Sequence, residues 1–369
     1  MKRFSSRREF FGTMAAGAAA LSFRPPVFSE AAGTDNAVHI NFNESPYGPP
    51  EKALKAIRES AVAMAGRYYD DASYEELSKI LAKHHGLSRE YVQVGAGSTE
   101  ILKICDDVFL HGGKRLVVAE PAYEAVIQYA VNSQADAAKV ALTPDYRHDL
   151  VKMADAITRD TGMVYICNPN NPTGTIVYKA EMQRFMDRVP SNVTVVIDEA
   201  YSHFVMSPDY ESALQYVHEG RNVIVARTFS KIFGMAGMRV GYAVGRKDLI
   251  DKIRPFTVDY TITGTSASAA MAAIADQQHV ERIAKLNAAN RQLVFDEMKR
   301  LKFECTASES NFLMINIRKP VPAVIQEFEK RKVLVGREFP AMPTFLRVTI
   351  GTEDEMKKFF VAFREILRA

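Results

Sequence analysis

The chain has 369 residues, 47% of them apolar and 25% charged, which are the proportions of a globular protein able to bury a large core and exclude disorder, collagen and a small disulfide scaffold. The net charge of +3 sits in the first 32 residues, which hold five basic groups and two acidic ones and leave 42 of each over the rest. A body without a basic excess has no electrostatic footprint for nucleic acid, and the length points to about two domains.

The chain begins with an address. Ser6-Arg7-Arg8-Glu9-Phe10-Phe11-Gly12 leads into an alanine-rich, weakly apolar run from Thr13 to Phe23, the architecture of a twin-arginine signal peptide. A membrane span needs roughly 20 apolar residues and this run is about a dozen, so no permanent membrane anchor is expected. Ser29-Glu30-Ala31 offers small residues at the outer positions of a cleavage site. Residues 1–31 are therefore expected to be removed, with the twin-arginine export machinery as partner and a periplasmic or otherwise exported protein as product. The alternative is a basic tail on a cytoplasmic protein.

Strand and helix then alternate. Apolar, β-branched runs recur at Leu116-Val117-Val118, Met163 to Ile166, Val193 to Ile197, Val223 to Val225 and Arg239 to Val244, each read as a strand buried on both faces. Helical patterns lie between several of them, as at Tyr123 to Asn132 and Lys179 to Arg188, which predicts an α/β fold with a mainly parallel sheet covered by helices. A long helix follows from Val280 to Leu301. After it come a strand at Phe312 to Ile317, a helix at Val321 to Arg331 and a last helix at Glu353 to Leu367, which read as a smaller α+β domain. Cys105, Cys167 and Cys305 lack any disulfide or metal-ligand spacing, so they are read as core residues and no metal is expected.

Ligands of open α/β sheets bind beyond the carboxyl ends of the strands, so polar residues directly after an apolar strand carry the chemistry. Four places qualify. Val92-Gln93-Val94 runs into Gly95-Ala96-Gly97-Ser98-Thr99-Glu100, a glycine-rich turn that opens a helix and presents free amides to an anion. Tyr165-Ile166-Cys167 runs into Asn168-Pro169-Asn170-Asn171-Pro172-Thr173-Gly174. Ile197 is followed by Asp198-Glu199-Ala200-Tyr201, and Ala226 by Arg227-Thr228-Phe229-Ser230-Lys231, with Arg239 further on. An ordinary turn, a helix cap or a solvated charge would account for any one of these alone. All four at strand ends of one sheet favour a site.

These segments, with Asn43-Glu44-Ser45-Pro46-Tyr47-Gly48 and Phe345-Leu346-Arg347-Val348-Thr349-Ile350-Gly351, resemble the class I/II aminotransferases of fold type I. Within them the chain is most similar to the histidinol-phosphate aminotransferase branch, from about Asn41 onward. The resemblance implies pyridoxal 5'-phosphate (PLP) as cofactor and a layout of an arm at 32–75 serving the small domain and a dimer contact, a large PLP-binding domain at 76–279, and a connecting helix with the small domain at 280–369.

It also implies roles. Lys231 holds the cofactor as a Schiff base and then moves the proton. Asp198 pairs with the ring nitrogen, Asn171 and Tyr201 bond the ring's phenolic oxygen, and Tyr123 stacks on the ring. Ser98, Thr99, Thr228, Ser230 and Arg239 surround the phosphate, and Tyr68 reaches the phosphate of the neighbouring subunit in a homodimer. Arg347 clamps the substrate carboxylate, with Tyr47 and Arg337 near the substrate's far end. The expected partners are an amino donor and a 2-oxo acid. A distal phosphate, an aromatic ring and an aliphatic side chain all stay open for the donor. A decarboxylase of the threonine-phosphate decarboxylase type and a non-catalytic PLP-binding sensor are the other readings.

Overall fold

A computed structural model describes residues 36–68 and 71–368; the signal-peptide reading lies outside the described residues. Twelve strands occur among them: β1 (Val38–Ile40), β2 (Val92–Gly95), β3 (Arg115–Glu120), β4 (Ala137–Ala141), β5 (Thr161–Cys167), β6 (Thr194–Asp198), β7 (Val223–Thr228), β8 (Gly241–Gly245), β9 (Glu304–Cys305), β10 (Phe312–Asn316), β11 (Val333–Val335) and β12 (Phe345–Thr349). Seven form one sheet in the order β2-β8-β7-β6-β5-β3-β4. Only β8 opposes the rest, pairing antiparallel with both β2 and β7.

The central strands are apolar through their middles because helices cover both faces. Val195, Val196, Ile197, Val223, Ile224 and Val225 are fully buried, and each such side chain contributes about 1.5–3 kcal/mol through removal from water. Register then sets the site. Cys167 lies opposite Asp198, and Asp198 opposite Ala226, so β5 and β6 end level, β7 runs two residues further to Thr228, and their following loops converge. At the other side Gly95 faces Gly241 and Gly241 faces Thr228, which brings the turn after β2 to the same edge.

A second core forms around Val294, Leu313, Ile315, Phe328, Leu346, Val348 and Phe359. It lies under the antiparallel sheet β12-β10-β9, with β1 pairing parallel to β11 beside it. This is the small domain of the fold. The long helix runs Gln277–Arg300, started by Asp276, whose side chain accepts from the His279 amide.

One expected strand is shorter than its apolar pattern. Arg239 has a left-handed backbone, φ +54°, and ends a 3₁₀ turn, so β8 begins only at Gly241. Cys105 and Cys167 are buried, whereas Cys305 on the edge strand β9 is half-buried.

Candidate active site

The converging strand ends enclose a cavity of about 780 Å³, within the size range of small-molecule sites. Its lining includes Ser98, Thr99, Tyr123, Asn171, Asp198, Tyr201, Thr228, Ser230, Lys231, Arg239, Arg337 and Arg347. Tyr47 and Tyr68 are not in this lining. Tyr47 packs against the large core with its hydroxyl taken by Asn290 Nδ2 at 3.0 Å. Tyr68 is 85% exposed, its ring 5.2 Å from that of Tyr260.

Asp198 closes β6 and is buried. Its Oδ2 accepts from the Tyr165 hydroxyl at 3.0 Å and its Oδ1 from the Ala200 amide at 3.0 Å. Burial nevertheless dominates and pushes the carboxyl up to about 6. Such an acid gains most from a cation placed against it.

Lys231 follows β7 by three residues. Its Nζ donates to the carbonyls of Asn43 at 3.0 Å and Phe42 at 3.2 Å and lies 5.5 Å from the centre of the Tyr201 ring. Burial first, then the Arg347 charge, lowers the ammonium to about 8, against the opposing pull of Glu44 and Asp198. An amine so tuned is partly neutral near neutral pH, as a nucleophile and proton carrier must be.

The Tyr201 hydroxyl accepts from Asn43 Nδ2 at 3.3 Å and Asn171 Nδ2 at 3.4 Å, and burial raises its pKa. Asn171 also accepts, at Oδ1, from Arg347 Nη1 at 3.0 Å, while Arg347 Nη2 donates to the Asn41 carbonyl at 2.9 Å. Arg347 is buried and its Nε has no acceptor. Desolvation lowers it to about 10. A guanidinium held this way, with a donor to spare, is built for an anion.

The opposite end of the cavity is a cluster of donors. Ser98 and Thr99 open the helix Ser98–Phe109, so their N–H groups have no intrahelical acceptor. Thr228 Oγ1 and Ser230 Oγ lie 3.0 Å apart, and Arg239 Nη1 donates to Ser230 Oγ at 3.2 Å and to the Ala236 carbonyl at 2.9 Å. Glycine is required twice here. Gly97 has φ +79°, and a Cβ on it would strike the Arg239 guanidinium; a Cβ on Gly241 would strike the backbone of Gly97 and Ser98. The result is a tight cup of hydroxyls, amides and one guanidinium, which fits a phosphate. The Tyr123 ring forms part of the wall beside Thr99. Cup, acid and lysine on one cavity fit the expected cofactor.

Three supporting residues were not assigned from the sequence. Asn43 links Lys231, Tyr201 and Thr349; Tyr165 backs Asp198; and Glu199 forms a buried pair with Arg227 at 2.6 Å behind the loops of β6 and β7. All but Tyr165 stood inside the motifs that were read, but their spacing carries no sign of contacts made across more than 25 residues.

Residues 35–363 match the family described as aminotransferase class I and II. The chain is 36% identical over 337 residues to the histidinol-phosphate aminotransferase of Moorella thermoacetica, covering 91% of this chain and 86% of that one. It is 35% identical to that of Bacillus subtilis, covering 91% and 93%. The structure of histidinol-phosphate aminotransferase from Sinorhizobium meliloti in complex with PLP shares the fold, with a TM-score of 0.84 at 24% identity, covering 95% of this chain and 99% of that one.

Proposed function

Because the chain belongs to the class I and II aminotransferases, PLP-dependent enzymes that pass an amino group to a 2-oxo acid, we propose that its donor is an amine bearing an anionic group that docks on Arg347. Histidinol phosphate, named for the relatives, and α-amino acids both have one. The observation that carries this reading is the orphaned Nε of a buried guanidinium on the same cavity as Lys231.

When bound, PLP supplies an electron sink in conjugation with the donor's Cα. The chain's residues do the rest. Asp198 would keep a proton on the ring nitrogen, for which a burial that raises its pKa prepares it. Asn171 and Tyr201 would hold the ring's oxygen, Ser98, Thr99, Thr228, Ser230 and Arg239 the phosphate, and Tyr123 the ring. Arg347 fixes the donor so that its Cα stands over Lys231, a gain in proximity. Lys231 Nζ then takes the Cα proton, which its lowered pKa permits.

Adding histidinol phosphate, phenylalanine, leucine and glutamate in turn to the holoenzyme tests this. The visible band should change with at least one donor and return with 2-oxoglutarate. An unchanged band with all four defeats the reading, and carbon dioxide release without an oxo acid would mean decarboxylation.

The same reading includes a homodimer with shared sites and export through the twin-arginine route. Exposed Tyr68 and Tyr260, their rings 5.2 Å apart, with exposed Phe256 and Val258 on the segment leading to Tyr260, offer apolar side chains that support the first. The Ser6-to-Phe23 pattern supports the second.

A further inference from the structure

Asp198 is held from the strand beside it. Side chains two residues apart share one face of a strand, and Tyr165 pairs with Val196 while Cys167 pairs with Asp198. Tyr165 and Asp198 therefore stand on the same face, one step apart along β5 and β6. The Tyr165 hydroxyl spans that step and donates to Asp198 Oδ2 at 3.0 Å, while the Ala200 amide donates to Oδ1 at 3.0 Å. Each carboxylate oxygen thus has one protein donor and a lone pair to spare, and Asp198 lines the cavity.

The hydroxyl is a permanent donor. Tyr165 is fully buried, and burial first, then the Asp198 charge, raises its phenol well above the ordinary tyrosine range. Its effect on Asp198 opposes that of burial. Burial raises the carboxyl to about 6, while the Ala200 amide, the Tyr165 hydroxyl and the Lys231 charge pull it down and the Glu199 charge pushes it up. The other titratable groups around it, Cys167, Tyr123 and Tyr201, are themselves raised by burial and stay neutral. A hydrogen bond to a charged acceptor is stronger than one to a neutral acceptor, so the hydroxyl favours the ionised acid. An ionised acid is the partner that a protonated ring nitrogen needs.

We propose that Tyr165 is a positioning residue for transamination: its hydroxyl holds the Asp198 carboxylate at the cavity in its ionised form, ready for the cofactor's ring nitrogen. The proposal rests on Asp198 as the ring's partner. Tyr165 acts only through that acid, since it is not in the cavity lining itself.

Tyr165→Phe removes the hydroxyl and leaves the buried ring in place. In the cofactor-free protein, infrared difference spectroscopy isolates the carboxylic-acid C=O stretch that Asp198→Ala abolishes, and its pH dependence gives the midpoint of this one acid. That midpoint should move up by about one pH unit in Tyr165→Phe, the size expected for one charge-assisted hydrogen bond. Ionised Asp198 then falls from about three quarters to about one quarter at pH 6.5 and hardly changes at pH 8.5. Apparent affinity scales with the competent fraction, so the PLP Kd of Tyr165→Phe relative to wild type, by equilibrium dialysis, should be about threefold higher at pH 6.5 than at pH 8.5. In an Asp198→Ala background the same ratio should be flat across pH, because the hydroxyl has no acid to act on. An unmoved infrared midpoint, a ratio that ignores pH when Asp198 is present, or an equal pH dependence without Asp198 overturns the proposal. The reading of Asp198 fails separately: an Asp198→Ala protein that binds PLP as tightly as wild type strikes it, and the proposal with it, even where the infrared midpoint moves.

Discussion

Asn43 grips Lys231 and Tyr201 together: its carbonyl accepts from Lys231 Nζ at 3.0 Å while its Nδ2 donates to the Tyr201 hydroxyl at 3.3 Å. Thr349 of β12 fixes Asn43 in turn, its Oγ1 accepting from the Asn43 amide at 3.0 Å and donating to Asn43 Oδ1 at 3.2 Å. The amine is thus aimed by carbonyls, which hold it without pairing its charge, and burial can lower its pKa.

That lowering has a sign that can be measured. At about 8 instead of 10.5, roughly a quarter of Lys231 is neutral at pH 7.5, against about one part in a thousand for an ordinary lysine. The rate at which cofactor-free protein takes up PLP should rise with pH and level off above about 8, followed by absorbance in a stopped-flow mixer. A rate still climbing towards pH 10 would contradict the geometry. Lys231→Ala should lower turnover at least about a thousandfold while the phosphate cup retains some cofactor. Borohydride treatment of the wild-type holoenzyme should mark position 231 in a peptide map.

The strand ends were legible because strands buried on both faces read as unbroken apolar runs, and whatever polar residue ends such a run stands out. That is why Asp198, Asn171 and Lys231, which share the cavity lining, stand out in the sequence. Strand direction was not legible: Gly241–Gly245 reads like its neighbours but opposes them, because periodicity reports burial and not polarity of the chain. Tyr47 lies outside the cavity lining with its hydroxyl bonded by Asn290, 243 residues away, a contact that no motif shows. Arg337 pairs with Glu124 across 213 residues, a contact with no local signature at all.

Asp198 makes a second prediction. Its carboxyl sits at about 6 when folded against 3.8 for an ordinary aspartate, so between those pH values the folded chain binds more protons than the unfolded one. Stability of the cofactor-free protein therefore falls as pH rises through that window and stays reduced above it. Asp198→Asn should stabilise the cofactor-free protein at pH 7.5 by up to about 3 kcal/mol in guanidinium unfolding, and remove most transaminase activity. A less stable cofactor-free variant would show that the carboxylate is not under strain.

Tyr68 tests the dimer. Its ring is 85% exposed and outside the cavity lining, so in a lone subunit Tyr68→Phe should leave PLP affinity untouched. In a dimer with shared sites, loss of one hydroxyl on a phosphate should weaken PLP about tenfold. Equilibrium dialysis with sedimentation of the same sample decides, and a monomeric wild-type protein at micromolar concentration rules the shared site out.

The leader is tested by fractionation. Replacing both arginines with lysine, Arg7→Lys with Arg8→Lys, keeps the charge and removes only the paired guanidinium groups, so a merely basic tail would tolerate it. The variant should remain in the cytoplasm while the wild type is exported; equal export of both would refute the signal peptide.

Arg347 separates charge from shape. Arg347→Lys retains a cation but has a single ammonium where the guanidinium uses Nη1 on Asn171, Nη2 on Asn41 and Nε on nothing. Lysine cannot make both contacts and still present a donor to an anion, and losing a forked, charge-assisted contact costs about 2–3 kcal/mol. If each half-reaction docks its anion on this residue, the KM for both the donor and the 2-oxo acid should rise about 30- to 150-fold. The kcat should fall less, since the contact exists before and during proton transfer alike. If KM rises for one partner only, Arg347 serves one half-reaction and the other anion sits elsewhere, with Arg239 and Arg337 as the remaining arginines on the cavity wall.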